Sequence, residues 1–171
     1  MSQWIAPMRT FALFAVFCLS AAAVSAARLV ELKEPARIAD AFSPKAPLRV
    51  INVWATWCVP CVEEISDLGA ISDIFGADLS MIGVSLDDMI PADRAATKKK
   101  VESFLDAKKI RYSNVYYSGN SDALADSLRF SGEIPITIIY DRSGRELWRQ
   151  QGRIDRQKTI AEIKKLLRRN R

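Results

Sequence analysis

The apolar positions of this chain fall into alternating blocks. Arg49 to Trp54 (Arg-Val-Ile-Asn-Val-Trp), Leu79 to Leu86 (Leu-Ser-Met-Ile-Gly-Val-Ser-Leu) and Pro135 to Tyr140 (Pro-Ile-Thr-Ile-Ile-Tyr) are short and nearly continuous. Such runs predict strands covered on both faces. Between them the apolar residues recur at three- and four-residue spacing. Ile65, Leu68, Ile71 and Phe75 give one apolar face to a helix from about Cys58 to Phe75, and Gly76 is placed to end it. A second helix is expected from about Ala95 to Lys108, with Val101, Phe104 and Leu105 inward and Lys98-Lys99-Lys100 on its exposed face. Tyr112 to Tyr117 reads as a short strand and Asp122 to Phe130 as a further helix. Asp141-Arg142-Ser143-Gly144 reads as a hairpin turn, returning along Glu146 to Gln151 as an edge strand. Asp155 caps a final helix with Ile160, Ile163, Leu166 and Leu167 inward. Arg28 to Leu48, with Pro35, Pro44 and Pro47, reads as a lead-in, and Asp87 to Arg94 as a loop. The alternation predicts an α/β sandwich with a hairpin closing one side of the sheet.

The first residues follow another pattern. Arg9 precedes a nearly all-apolar run from Phe11 to Val24, and Val24-Ser25-Ala26 then supplies small residues. Charged, apolar, small is the order of a secretory signal. A membrane span needs about 20 apolar residues, and counting on to Ala27 brings the run near the lower limit. Residues 1–26 are therefore expected to be a cleaved signal or an uncleaved anchor, and 27–171 one domain. Cys18 lies within the run behind the bulky Phe17, unlike a lipid-attachment site, and is read as a spectator.

Composition narrows the chemistry. The chain has 171 residues, 49% of them apolar, enough for one proper core. Its net charge is +5, part of it in Lys164, Lys165, Arg168, Arg169 and Arg171. That cluster is expected to be the solvated face of the last helix. No aromatic–basic interleaving or base-reading motif points to nucleic acid. The sequence holds no histidine, which excludes Ser-His-Asp and Cys-His catalysis and any zinc site built on imidazole.

Of the three cysteines, Cys58 and Cys61 form a Cys-x-x-Cys. If cleavage follows Ala26, they are the only pair left. A structural staple normally closes a longer loop, so this pair is expected to react. A thiolate is the attacking species in disulfide exchange. Cys58 is placed at the first turn of the helix that follows a strand, where free N–H groups and the helix dipole favour negative charge. Such a setting lowers a thiol pKa from ~8.5 to roughly 3.5–7.5. Cys61, one turn on, is placed to resolve a mixed disulfide on Cys58. Pro60 suits an early helical position, where its missing N–H costs little. A zinc half-site would need a second such pair, and none exists.

Trp57-Cys58-x-Pro60-Cys61 after a buried strand, Ile134-Pro135 opening a later strand, and the Asp141 to Gly144 hairpin resemble the thioredoxin superfamily. Within it, Asn52-Val53-Trp54-Ala55-Thr56-Trp57-Cys58 and the Val84-Ser85-Leu86-Asp87 strand end resemble the exported TlpA/ResA-like thiol–disulfide oxidoreductases. So does the roughly 45-residue insert before Ile134-Pro135. The resemblance spans about Arg49 to the C-terminus. It implies a thioredoxin fold: a central mixed sheet flanked by helices, with a helix-containing insert before the cis-proline strand. It also implies a cis Pro135 that holds an extended substrate strand beside the cysteines, with Ile134 lining the same surface. Trp57, Val59 and Pro60 would touch that substrate. Glu64 matches a helix glutamate of several members and, three residues past Cys61, would share its helix face. It is either a proton carrier for Cys61 or a surface carboxylate near the helix start. Asn52 stands where cytosolic thioredoxins carry a buried aspartate. Two departures are plain. Ser66 occupies a position often held by proline, and the lead-in lacks the Asp-Gly hairpin of many members.

The resemblance implies a reductase of exported proteins, with no cofactor or bound metal. Its partners would be protein thiols and disulfides, as in cytochrome c or copper-centre assembly, and a membrane thiol-electron transporter as reductant. Alternatives are an oxidase or isomerase of DsbA type, a peroxidase, and a copper-delivery module. A peroxidatic site needs one cysteine in a different local sequence. The sequence carries no histidine or methionine pattern beside the thiols to support copper.

Overall fold

The computed structural model describes residues 29–170, and the candidate signal or anchor segment and Cys18 lie outside them. Six strands form one mixed sheet: β1 (Leu29–Leu32), β2 (Leu48–Trp54), β3 (Leu79–Ser85), β4 (Ser113–Tyr117), β5 (Ile136–Asp141) and β6 (Glu146–Gln151). Their order is β1-β4-β3-β2-β5-β6. The first four run parallel, whereas β5 runs antiparallel to β2 and β6 antiparallel to β5. Four α-helices complete the fold: α1 (Val59–Phe75), α2 (Arg94–Ala107), α3 (Ser121–Leu128) and α4 (Arg156–Arg169).

Strand pleating sends alternate side chains to opposite faces, and each face has its own core. Leu48, Val50 and Trp54 of β2 pack with Ile65, Leu68 and Ile71 of α1 and with Ile163, Leu166 and Leu167 of α4. Ile51 and Val53 face the other way, against Leu124 and Leu128 of α3 and Ile38. This double cover is why the central strands read as unbroken apolar runs.

The helix ends follow local chemistry. Asp93 caps α2 by accepting from the Ala96 N–H at 2.7 Å, Asn120 caps α3 through Ala123 at 2.9 Å, and Asp155 caps α4 through Lys158 at 2.9 Å. Gly76 closes α1 at φ +50°, a conformation costly for other residues. The hairpin turn is fixed by the Asp141 carboxylate, which accepts from the Ser143 and Arg145 N–H groups at 2.9 and 3.0 Å.

Three expectations need correction. The lead-in holds a strand, β1, and a 3-10 helix over Pro35–Ala41. Only four residues long, β1 gains its hydrogen bonds from β4, whose partners in register stand 85 positions downstream, and carries no periodic signal of its own. The Asp87 to Arg94 stretch contains a 3-10 turn, Asp87–Met89, and α2 begins at Arg94. Finally, α3 stops at Leu128, because Arg129 adopts the left-handed conformation at φ +54°.

Candidate active site

β2 ends at Trp54, and a short turn delivers Cys58 to the N-cap of α1. The Cys58 N–H donates to Ala55 O at 3.2 Å and Cys58 O accepts from the Val62 N–H at 3.0 Å. Pro60 lies in the first turn, as its missing donor predicts. Cys58 and Cys61 are joined by a disulfide with Cα atoms 5.3 Å apart. The sulfurs differ in access: Cys58 is 7% exposed and Cys61 is fully buried. Beside them Trp57 is 43% and Val59 68% exposed, which is unusual for side chains of this size.

The turn before Cys58 is fastened from β3. Asp87, buried just past the end of β3, accepts from the Thr56 N–H at 3.1 and 3.2 Å and from the Thr56 hydroxyl. It also accepts from the Ser85 hydroxyl at 2.8 Å. A buried carboxylate is tolerated when its lone pairs are filled in this way. Asp87 belongs to a motif quoted for the resemblance, yet no site role attaches to it from sequence. The missed signal is topological: it stands at the carboxyl end of the strand beside β2, where parallel sheets place their sites.

The Ile134–Pro135 bond is cis. It brings Ile134 O to 3.7 Å from Cys58 Sγ. β6 holds this segment: the Gly152 N–H donates to Pro135 O at 2.9 Å, and the Gln151 side-chain amide donates to Glu133 O at 2.9 Å and Pro135 O at 3.3 Å. The result is a groove of about 600 Å³ lined by Trp57, Cys58, Pro60, Glu133, Ile134 and Gln151. Sequence reasoning reached four of these six; Glu133 and Gln151 carry no mark in the chain. A second cavity, of about 550 Å³, includes Ser80 and Ser113 at the opposite ends of β3 and β4, away from the cysteines.

Three residues past Cys61 in α1, Glu64 is fully buried, so it is not a surface carboxylate. Its Oε1 accepts from Asn52 Nδ2 at 2.8 Å and its Oε2 from the Ile154 N–H at 2.7 Å. Burial pushes Glu64 up to about 7, against the pull of these two hydrogen bonds and of the Arg153 charge. Asn52 also approaches Thr137 Oγ1 at 3.1 Å, while its own Oδ1 has no partner among the described residues. An amide suits this position. Its NH₂ serves the carboxylate, and its unfilled oxygen can face the carboxylic acid proton after a side-chain rotation. Tyr112 is buried too, and burial with the Glu64 charge pushes its phenol up.

Among the described residues no group of three or more Cys, Asp or Glu side chains is placed to hold a metal ion. Nor is any helix there long and apolar enough to cross a membrane.

A thioredoxin fold with a Cys-x-x-Cys disulfide at the head of its first long helix defines the class of thiol–disulfide oxidoreductases. No protein-family model and no curated protein matches the chain. Solved structures do. A thioredoxin-related protein from Neisseria meningitidis serogroup B is 25% identical, with a TM-score of 0.56 over 71% of this chain and 86% of that one. A DsbF homologue from Corynebacterium diphtheriae is 24% identical, with a TM-score of 0.61 over 75% of each chain. A secreted thiol-disulfide isomerase from Corynebacterium glutamicum is 18% identical, with a TM-score of 0.60 over 71% of each.

Proposed function

We propose that this protein reduces disulfide bonds in exported client proteins, with Cys58 as nucleophile, Cys61 as resolving thiol and Glu64 as proton carrier. The observation that carries the reading is the division of access between the two sulfurs. Cys58 meets the groove at the helix N-cap, whereas Cys61 is fully buried in α1, one turn before the buried Glu64.

In the dithiol form, the Cys58 thiolate attacks one sulfur of a client disulfide. A mixed disulfide forms and the first client sulfur leaves as a thiolate that takes up a proton. Cys61 then loses its proton to the Glu64 carboxylate and attacks Cys58 Sγ. The second client thiol departs, and the protein is left with the Cys58–Cys61 disulfide. Two electrons pass to the client. A thiol donor, a membrane thiol-electron transporter in this reading, returns the disulfide to the dithiol. Glu64 suits the task because its proton affinity lies near neutral pH, where it both takes and releases a proton.

The groove lining supports substrate roles for Trp57, Pro60 and Ile134; Val59 and Pro135, which do not line it, are their immediate neighbours in the chain. Ile134 and the cis bond present backbone beside Cys58, and the exposed Trp57 and Val59 flank it. Export is supported by the charged–apolar–small order of residues 1–26 and by the secreted neighbour. If the segment is retained, it tethers the domain to the membrane.

Cys58→Ala should abolish disulfide reduction, and Cys61→Ala should accumulate mixed disulfides whose partners identify the clients. Retained activity in Cys58→Ala would remove the assignment. A reduction potential near −270 mV supports reduction, whereas one near −120 mV would make the protein an oxidant.

A further inference from the structure

The groove beside Cys58 is uneven in charge. Its walls are apolar, from Trp57, Pro60 and Ile134, and Glu133 is the one charged side chain among the residues that line it. Glu133 is exposed, and its carboxylate pairs with no cation among the described residues. Only its backbone carbonyl is engaged, by Gln151 at 2.9 Å, which fixes this residue against β6. The arginines at the same end of the sheet are already partnered. Arg153 meets Glu63 at 2.8 Å, Arg156 stands 3.9 Å from Asp67, and Arg94 meets Asp88 at 2.7 Å. Glu133 is therefore an unpaired carboxylate at the groove, on a chain whose net charge is +5. At physiological ionic strength the Debye length is about 8 Å, so a client segment in the groove senses Glu133 more than the distant excess of positive charge.

We infer that the groove selects client cysteines flanked by a cationic side chain, Lys or Arg, with an apolar neighbour resting on Trp57 and Ile134. The inference rests on the thiol–disulfide reading above and names the client chemistry it favours. Gln151 is a positioning residue in this arrangement. Its amide spans the carbonyls on either side of Ile134, so the Glu133 backbone, from which the carboxylate projects, is held against β6.

The test is single turnover. The full chain, reduced and freed of reductant, is mixed with disulfide-linked peptides identical except for Lys, Ala or Glu beside the cysteine. A neighbouring lysine also speeds exchange by itself, so each rate is divided by that of the same peptide with dithiothreitol, which has no groove. A cation about 6 Å from one carboxylate in a water-like medium gives roughly a three-fold gain. The normalised rate should therefore rise about three-fold from Ala to Lys and about ten-fold from Glu to Lys at low salt, and the ratios should approach one in 1 M salt, where the screening length falls to about 3 Å. Glu133→Gln should collapse the Lys-to-Glu ratio, and Glu133→Lys should invert it. A purely structural role would slow all three peptides alike. Equal normalised rates, or an unchanged order in Glu133→Lys, overturn the inference while leaving the reductase reading intact. No reduction of any peptide, the neutral one included, overturns both.

Discussion

The buried Glu64 carboxyl should write its signature into the pH dependence of stability. Its folded-state pKa of about 7 stands above the ordinary value of 4.5. Below pH 4.5 the group is protonated in both states and costs nothing. As pH rises through the window, the unfolded chain ionises first while the folded protein keeps the proton, so stability falls. Each pKa unit corresponds to about 1.4 kcal/mol, and the loss between pH 4.5 and 7.5 comes to about 3 kcal/mol. That is a large share of the stability of an ordinary domain. The window is unusually clean, because the sequence has no histidine and Cys58 and Cys61 are locked in the disulfide. Glu64→Gln keeps the shape of the side chain and cannot ionise. Urea unfolding of the oxidised protein at half-unit steps from pH 4.5 to 8 should show the decline in the parent protein and a nearly flat profile in the variant. A parent profile flat across this range, or an equal slope in Glu64→Gln, would show that Glu64 ionises normally and would remove it as a proton carrier.

On the acid side the sign reverses. Asp141, held low by the Ser143 hydroxyl and by Arg145, and Glu146, held low by Arg149, contribute stability that is lost as pH falls through their folded values, so the parent protein should be most stable near pH 4.5–5. Asn52→Asp sets a second carboxyl against Glu64 where an N–H now donates. It should destabilise by about 3 kcal/mol at pH 8 in the same urea assay, with the loss shrinking towards pH 5 as the pair retains a proton. Asp87→Ala strips the buried partners of Thr56 and Ser85, and should cost about 2–4 kcal/mol while quickening amide exchange at Thr56, read by hydrogen exchange. Gly119→Ala would bring a Cβ to 1.9 Å from Lys33 O, a backbone atom that cannot step aside. It should lower the thermal midpoint by several degrees, a loss of about 2–3 kcal/mol, as overpacking does.

Much of the frame is legible in the chain because it rests on local rules. β2, β3 and β5 announce themselves as short apolar runs, since both their faces are covered. α1 and α4 show their inward faces by spacing, and Asp155 and Gly76 punctuate their ends through backbone chemistry that acts within a turn. The cysteine pair needs no tertiary information either, because its spacing on a helix start already sets one sulfur at the helix head and the other a turn deeper. The resemblance built on Trp57 to Cys61 and Ile134-Pro135 supplied the pairing of two segments more than 70 residues apart, which spacing alone cannot give.

Other properties are set by neighbours distant in sequence and emerge only when the sheet and helices pack. β1 is a strand because β4 offers it hydrogen bonds, not because of its four residues. Asp87 and Gln151 matter because the sheet order sets one beside Thr56 and the other across the carbonyls flanking Ile134. Glu64 could be read as a surface carboxylate or as a buried acid. The choice fell to the turn between β6 and α4, which brings the Ile154 N–H onto it, and to a fold that leaves it fully buried. A carboxyl's proton affinity depends on its solvent and its partners, and both are assembled only when the chain closes around it.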